Sequence, residues 1–266
     1  MEALSAIVTL ATLLLGLLIG FRLIVRSGLQ LSAPELWLGC FFLFYHALAS
    51  GLSSALYTGW SRPELALSDQ IASRVHCAYY VFSIAGSVGF IFFTWLTFRP
   101  HARWGRWLAW GLALGMLAGA YSLWWTERFE LRVMNGAGYW VVLALKGVGF
   151  SWLSGEAWRS WRMSQRRLRL GLSDAVVSNR FLLISMWALV TMLLSWSDPL
   201  ARLWYVELTG STTLWVPELG RPIIAGVVAF ATTFLSLSGT LLMLSFFPTA
   251  RYRRWVERRA LQTEGV

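Results

Sequence analysis

The sequence predicts an all-α integral membrane protein: a bundle of seven transmembrane helices, N-terminus outside and C-terminus in the cytoplasm. Three observations carry that expectation. The 266 residues are 57% hydrophobic with a mean hydropathy of +0.57, well beyond an ordinary soluble domain. Seven apolar segments, at 4–25, 35–57, 73–97, 105–125, 137–158, 180–197 and 222–247, are close to the ~20 residues that cross a bilayer. The arginines fall mainly in alternate gaps between them. Arg22 and Arg26, Arg99 to Arg106, Arg159 to Arg180 and the tail from Arg251 to Arg259 supply 16, while the opposite gaps hold 6. The positive-inside rule then places the 16 in the cytoplasm.

The formal charge of +10 divides by side. The inner gaps balance to +11 and the outer ones to −2, with Lys146 inside an apolar segment as the remaining unit. An inner face that basic suits anionic inner-leaflet lipids, so nucleic acid is not needed to explain the charge. Residues 1–247 read as one transmembrane domain and 248–266 as a basic amphipathic cytoplasmic tail. The dominance of arginine over lysine and the compact loops lead us to expect a cell membrane, specifically a bacterial inner membrane.

Taken in order, the first segment has Glu2 before it and its arginines after it, which predicts an N-out anchor rather than a cleaved signal. Ser32-Ala33-Pro34-Glu35 starts the second segment with the spacing of a capping box, and Ser61-Arg62-Pro63-Glu64 repeats it in the next outer gap. Gly16 and Gly20 in the first segment, and Gly111, Gly115 and Gly119 in the fourth, form small-residue stripes suited to close helix packing. Trp60, Trp104, Trp107, Trp124, Trp125, Trp196 and Trp204 lie near outer or inner span ends, where indole favours the interface. Trp95, Trp110, Trp152 and Trp187 are interior and predict bundle filling. Between the sixth and seventh segments, Leu203–Leu208 and Thr212–Val216 flank a Thr-Gly-Ser turn, the pattern of a short β-hairpin over the outer mouth. Pro248 breaks the last segment, and Arg251–Arg259 mixes arginines with Tyr252, Trp255 and Val256 in the manner of a surface helix.

Polar side chains at mid-membrane depth are functional candidates. Lys146 is the only lysine in the chain, and it lies about 12 Å from the outer end of its segment at 1.5 Å per residue. His46 and Thr233 lie at about 16 Å by the same rise. With Tyr45 and Trp187 these residues define a candidate ligand-binding set. Arg162, Arg166, Arg167, Arg169, Arg253 and Arg254 are the candidate contacts to lipid or to a cytoplasmic protein partner. Glu156 is expected to pair with an inner arginine. Cys40 and Cys77 sit at opposite depths, too far apart for a disulfide.

No catalytic constellation is legible, so an enzyme is not expected. Gly149-Phe150-Ser151-Trp152-Leu153 lacks the second glycine of a nucleophile elbow. No metal-ligand spacing occurs. His46 and His76 differ in depth by roughly 12 Å, which speaks against a bis-histidine haem.

Seven helices with the N-terminus outside, short loops and a basic tail helix resemble the gross layout of opsins and seven-helix receptors. That resemblance implies a ligand among the helices. It does not extend to retinal: the last segment, Ile223 to Phe234, has no lysine, and the third has no acidic counter-ion. No cofactor is therefore predicted. The favoured expectation is a receptor-like or sensory protein that binds a small apolar or anionic ligand. The alternatives are a small-molecule or lipid transporter and an accessory subunit of a membrane complex.

Overall fold

The computed structural model describes residues 2–61, 67–127, 136–210 and 217–256. Among them every regular element is helical: α1 (Glu2–Gln30), α2 (Ala33–Phe41), a π-helical segment (Phe42–Ala49), α3 (Ser50–Ser61), α4 (Asp69–Phe98), α5 (Arg103–Glu127), α6 (Ala137–Leu168), α7 (Ala175–Thr209) and α8 (Pro217–Phe246). A last short helix, α9 (Ala250–Val256), is bent by 80° from α8. The segments α2, π and α3 form one continuous rod, because the joints at Phe42 and Ser50 keep right-handed helical dihedrals.

Each rod packs against its neighbours in the chain, and α8 returns to pack on α1, so the helices close into a ring. The π segment touches both α1 and α4, and α4 also reaches α6. Phe41, Phe42, Phe90, Phe150 and Trp187 fill the centre, each 2% exposed or less. The outside is apolar as well. On α1, Ile7, Leu10, Leu14, Leu18, Phe21 and Val25 recur at three- and four-residue spacing and are all exposed. In water such a stripe would drive association. In a bilayer it is the lipid-facing side, and with apolar surface on both sides packing must hold the helices together.

Glycines provide that packing. A Cβ on Gly20 would lie 2.9 Å from Leu43 N, and one on Gly16 would lie 3.0 Å from His46 Cβ. Gly119 and Gly138 face each other across α5 and α6, and a Cβ on Gly138 would lie 2.6 Å from Gly119 O. The stripes therefore serve contacts inside the bundle, apart from Gly111, which faces open space.

The seven-span expectation is met in its coarser part. Among the described residues, five helices are long and apolar enough to cross a membrane, and six if the bent pair α8 and α9 counts as one span. Helix α6 is long, but over residues 137–154 Lys146, three glycines, Tyr139 and two serines dilute its apolar run. The expected hairpin is not formed in its first arm. Leu203–Leu208 continues α7, which accommodates Pro199 and ends at Gly210 with a left-handed φ of 62°. Helical hydrogen bonding outweighs the β-branched and aromatic bias there. The second arm lies outside the described residues.

The first capping box is correct as a boundary but not as chemistry. Ser32 is the N-cap, yet its side chain makes no cap hydrogen bond. Glu35 instead pairs with Arg26 at 3.3 Å across the α1–α2 turn. Of the second box, Ser61 closes α3 rather than opening a helix, and the remaining residues lie outside the described set. Trp110, expected inside, is 48% exposed. Trp104, Trp107, Trp124, Trp125 and Trp204 are also exposed, in keeping with interface positions.

Candidate functional site

Helix periodicity brings Lys146 into the bundle. On α6 the buried residues Gly138, Val142, Lys146, Phe150, Leu153 and Ala157 recur at three- and four-residue spacing, so the lysine shares the core-facing stripe. It is 6% exposed. Its Nζ donates to Ser83 Oγ of α4 at 2.6 Å and lies 5.7 Å from the Tyr45 ring centroid. Ser83 belongs to a small polar stripe with Ser87 and Thr94. Those two hydroxyls return to carbonyls one turn back, Ser83 O and Phe90 O, so they satisfy themselves and leave the lysine to Ser83. Among the described residues no carboxylate pairs with Lys146.

Tyr45 and His46 stand on the π-helical segment. Gly16 and Gly20 of α1 press it from one side. Gly86 of α4 presses it from the other, where a Cβ would lie 2.7 Å from Tyr45 N. Bulky residues at those positions would exclude the wider π turns. Single π turns inside α-helices recur at functional sites. Here the segment carries two of the candidate ligand residues.

The opposite wall is α7, where Trp187, Thr191 and Ser195 share one face at four-residue spacing. Ser195 donates its hydroxyl hydrogen to Thr191 O at 2.8 Å and so accepts from the Tyr45 hydroxyl at 3.0 Å. Trp187 packs its ring 5.7 Å from the His46 centroid and 5.5 Å from that of Phe41. Phe42 stacks on His46 at 5.6 Å and lies 5.8 Å from Trp187, so the three rings pack mutually. Three buried polar atoms of these walls have no hydrogen-bond partner: His46 Nε2, Trp187 Nε1 and Thr191 Oγ1. Buried polar groups are nearly always satisfied in native proteins, so these three leave hydrogen-bonding capacity on the adjoining walls.

The structure thus brings Lys146, Tyr45, His46 and Trp187 together and leaves Thr233 out. Thr233 is exposed on α8 and donates to Ala229 O. The rise per residue fixes depth along a helix but not the direction a side chain faces, and Thr233 matched in depth alone. Ser83, Thr191 and Ser195 were missed. Four-residue spacing of hydroxyls within apolar runs is the signal that would have found them.

At the far end, Arg99 Nε bonds Glu156 Oε1 at 2.7 Å, joining the end of α4 to α6 as the sequence led us to expect. Arg162, Arg166, Arg167 and Arg169 are exposed at the end of α6, and Arg253 and Arg254 are exposed on α9. Helix α9 is anchored by Tyr252, which accepts a hydrogen bond from Asn179 Nδ2 of α7. Val256 is buried, while Trp255 is 45% exposed. Among the described residues no cluster of histidine, cysteine or carboxylate could hold a metal ion. No protein-family model, curated protein or solved structure matches this chain.

The fold and cluster define a multi-pass, all-helical membrane protein with a buried basic side chain in its interior.

Proposed function

We propose that this protein is a receptor-like or sensory membrane protein that binds a small molecule among its helices, with Lys146 as the anchor. One observation carries the reading: the only lysine of the chain is buried, and its described side-chain partner is a neutral hydroxyl. A charge at that depth is costly unless something compensates it. The unpartnered atoms on His46, Trp187 and Thr191 support the same locality. In this reading the seven rods all span, the N-terminus lies outside, and the exposed arginines of α6 and α9 meet anionic inner-leaflet lipids and a cytoplasmic protein partner. Nothing in the reading requires catalysis, nucleic acid, retinal or haem.

The test is native mass spectrometry of the purified protein with a visible absorption spectrum of the same sample. A bound small molecule that is lost in Lys146→Met is the expected result. The same ligand retained by Lys146→Met would overturn Lys146 as the anchor, and an unliganded mass without an absorption band would overturn the reading as a whole.

A further inference from the structure

Resting on that reading, we infer that the ligand of the Lys146 cluster carries a single negative charge on a small head group, of halide or carboxylate size. The hydrogen-bonding capacity left on the walls points that way. Lysine has three N–H donors, and one of them is committed to Ser83 Oγ at 2.6 Å. Tyr45 has committed its proton to Ser195, and Ser195 has committed its own to Thr191 O. What remains uncommitted is mostly donor capacity: the further N–H groups of Lys146, the Trp187 indole N–H, which can only donate, and the Thr191 hydroxyl. His46 Nε2, the third unpartnered atom, donates or accepts according to tautomer. Described residues supply no carboxylate here, so a bound cation would meet Lys146 without a counter-charge.

Size and valence follow from the surroundings. Phe41, Phe42, Phe90, Phe150 and Trp187 pack on one another at ring-centroid separations from 4.3 to 6.4 Å, and Phe41 and Phe150 lie 5.3 and 6.0 Å from the Tyr45 ring. A single cation balances a single negative charge, and a dianion would bring a second charge into apolar walls. Aromatic edges carry partial positive charge and so tolerate an anion beside them.

The experiment uses the whole 266-residue chain in detergent micelles. Thermal unfolding, followed by tryptophan fluorescence, is recorded against sodium chloride, sodium bromide and sodium acetate at ionic strength held constant with sodium sulfate. Saturable stabilisation by the monovalent anions is expected, absent in Lys146→Met. In Thr191→Val the half-saturating concentration rises about tenfold, as for one lost hydrogen bond to a charged group. Thr191→Val also keeps the inference testable should Lys146→Met fail to fold. Two results would overturn it. If a neutral molecule copurifies in a Lys146-dependent way and the anions have no saturable effect, the ligand site stands and its anionic character falls. If nothing copurifies and no anion stabilises the protein, the ligand site falls with it.

Discussion

Replacing Ser83 by alanine should destabilise this protein more than replacing Ser83 and Lys146 together. The Nζ–Oγ contact of 2.6 Å is buried on both sides, with Lys146 6% and Ser83 1% exposed. Removing the hydroxyl leaves the lysine with the Tyr45 ring, 5.7 Å away, as its described neighbour. A hydrogen bond to a charged group contributes about 1.5–3 kcal/mol, and a charged group left unpaired in the interior costs at least as much. In the double variant Ser83→Ala, Lys146→Met both polar partners are gone and the volumes are nearly kept. Such exchanges are close to neutral, so the double variant should lie within about 1 kcal/mol of the parent. The coupling energy of the cycle is then about 1.5–3 kcal/mol. Reversible unfolding in mixed micelles, followed by tryptophan fluorescence, measures all four proteins. Additive single effects, with coupling below about 0.5 kcal/mol, would refute the claim that these two side chains compensate each other.

Further outcomes follow from the packing and the inner surface. Gly138→Ala should cost about 1–3 kcal/mol, because its Cβ meets backbone atoms at 2.6 and 3.0 Å. Gly111→Ala, with nothing within 4 Å, should be neutral or gain up to about 1 kcal/mol, and the same unfolding assay compares the two. Glu156→Gln weakens the 2.7 Å bridge to Arg99 and should lower the melting temperature, with Arg99→Gln giving no additional loss in that background. Arg251, Arg253 and Arg254 to Gln should weaken the preference for anionic over neutral lipid by about 1 kcal/mol per residue, read as lipid adducts in native mass spectrometry. Asn179→Leu removes the bond to Tyr252, and faster amide exchange confined to α9 is the expected signature.

The all-helical class and the presence of several long apolar spans were readable because apolar run length and punctuation are local properties. The start of α2 at Ala33, the break at Pro248 and the Arg–Glu pairing of Glu156 all came from a few neighbouring residues or from charge sign. Where the sequence misled, the deciding physics was non-local. The Leu203–Leu208 stretch has strand-like side chains, but α7 extends through it. Ser32 and Glu35 have capping-box spacing, but Arg26 of the preceding helix takes the carboxylate.

The site divides in the same way. Lys146 was visible as a lone charge in an apolar run, and Tyr45, His46 and Trp187 joined it on depth and chemistry. Thr233 matched them in depth but faces outward. The π-helical segment left no trace in Phe42–Ala49 itself, which has neither proline nor glycine. The residues that pack closely on it lie on neighbouring helices, where a Cβ on Gly16, Gly20 or Gly86 would crowd His46, Leu43 or Tyr45.

An experimentally determined map of the protein, purified without added ligand and resolved well enough to place waters, tests the central claim most directly. The account predicts non-protein density within about 3 Å of Lys146 Nζ, bordered by Tyr45, Thr191 and Trp187. Close-packed protein atoms around Nζ, with Ser83 as its sole polar neighbour and no such density, would contradict it.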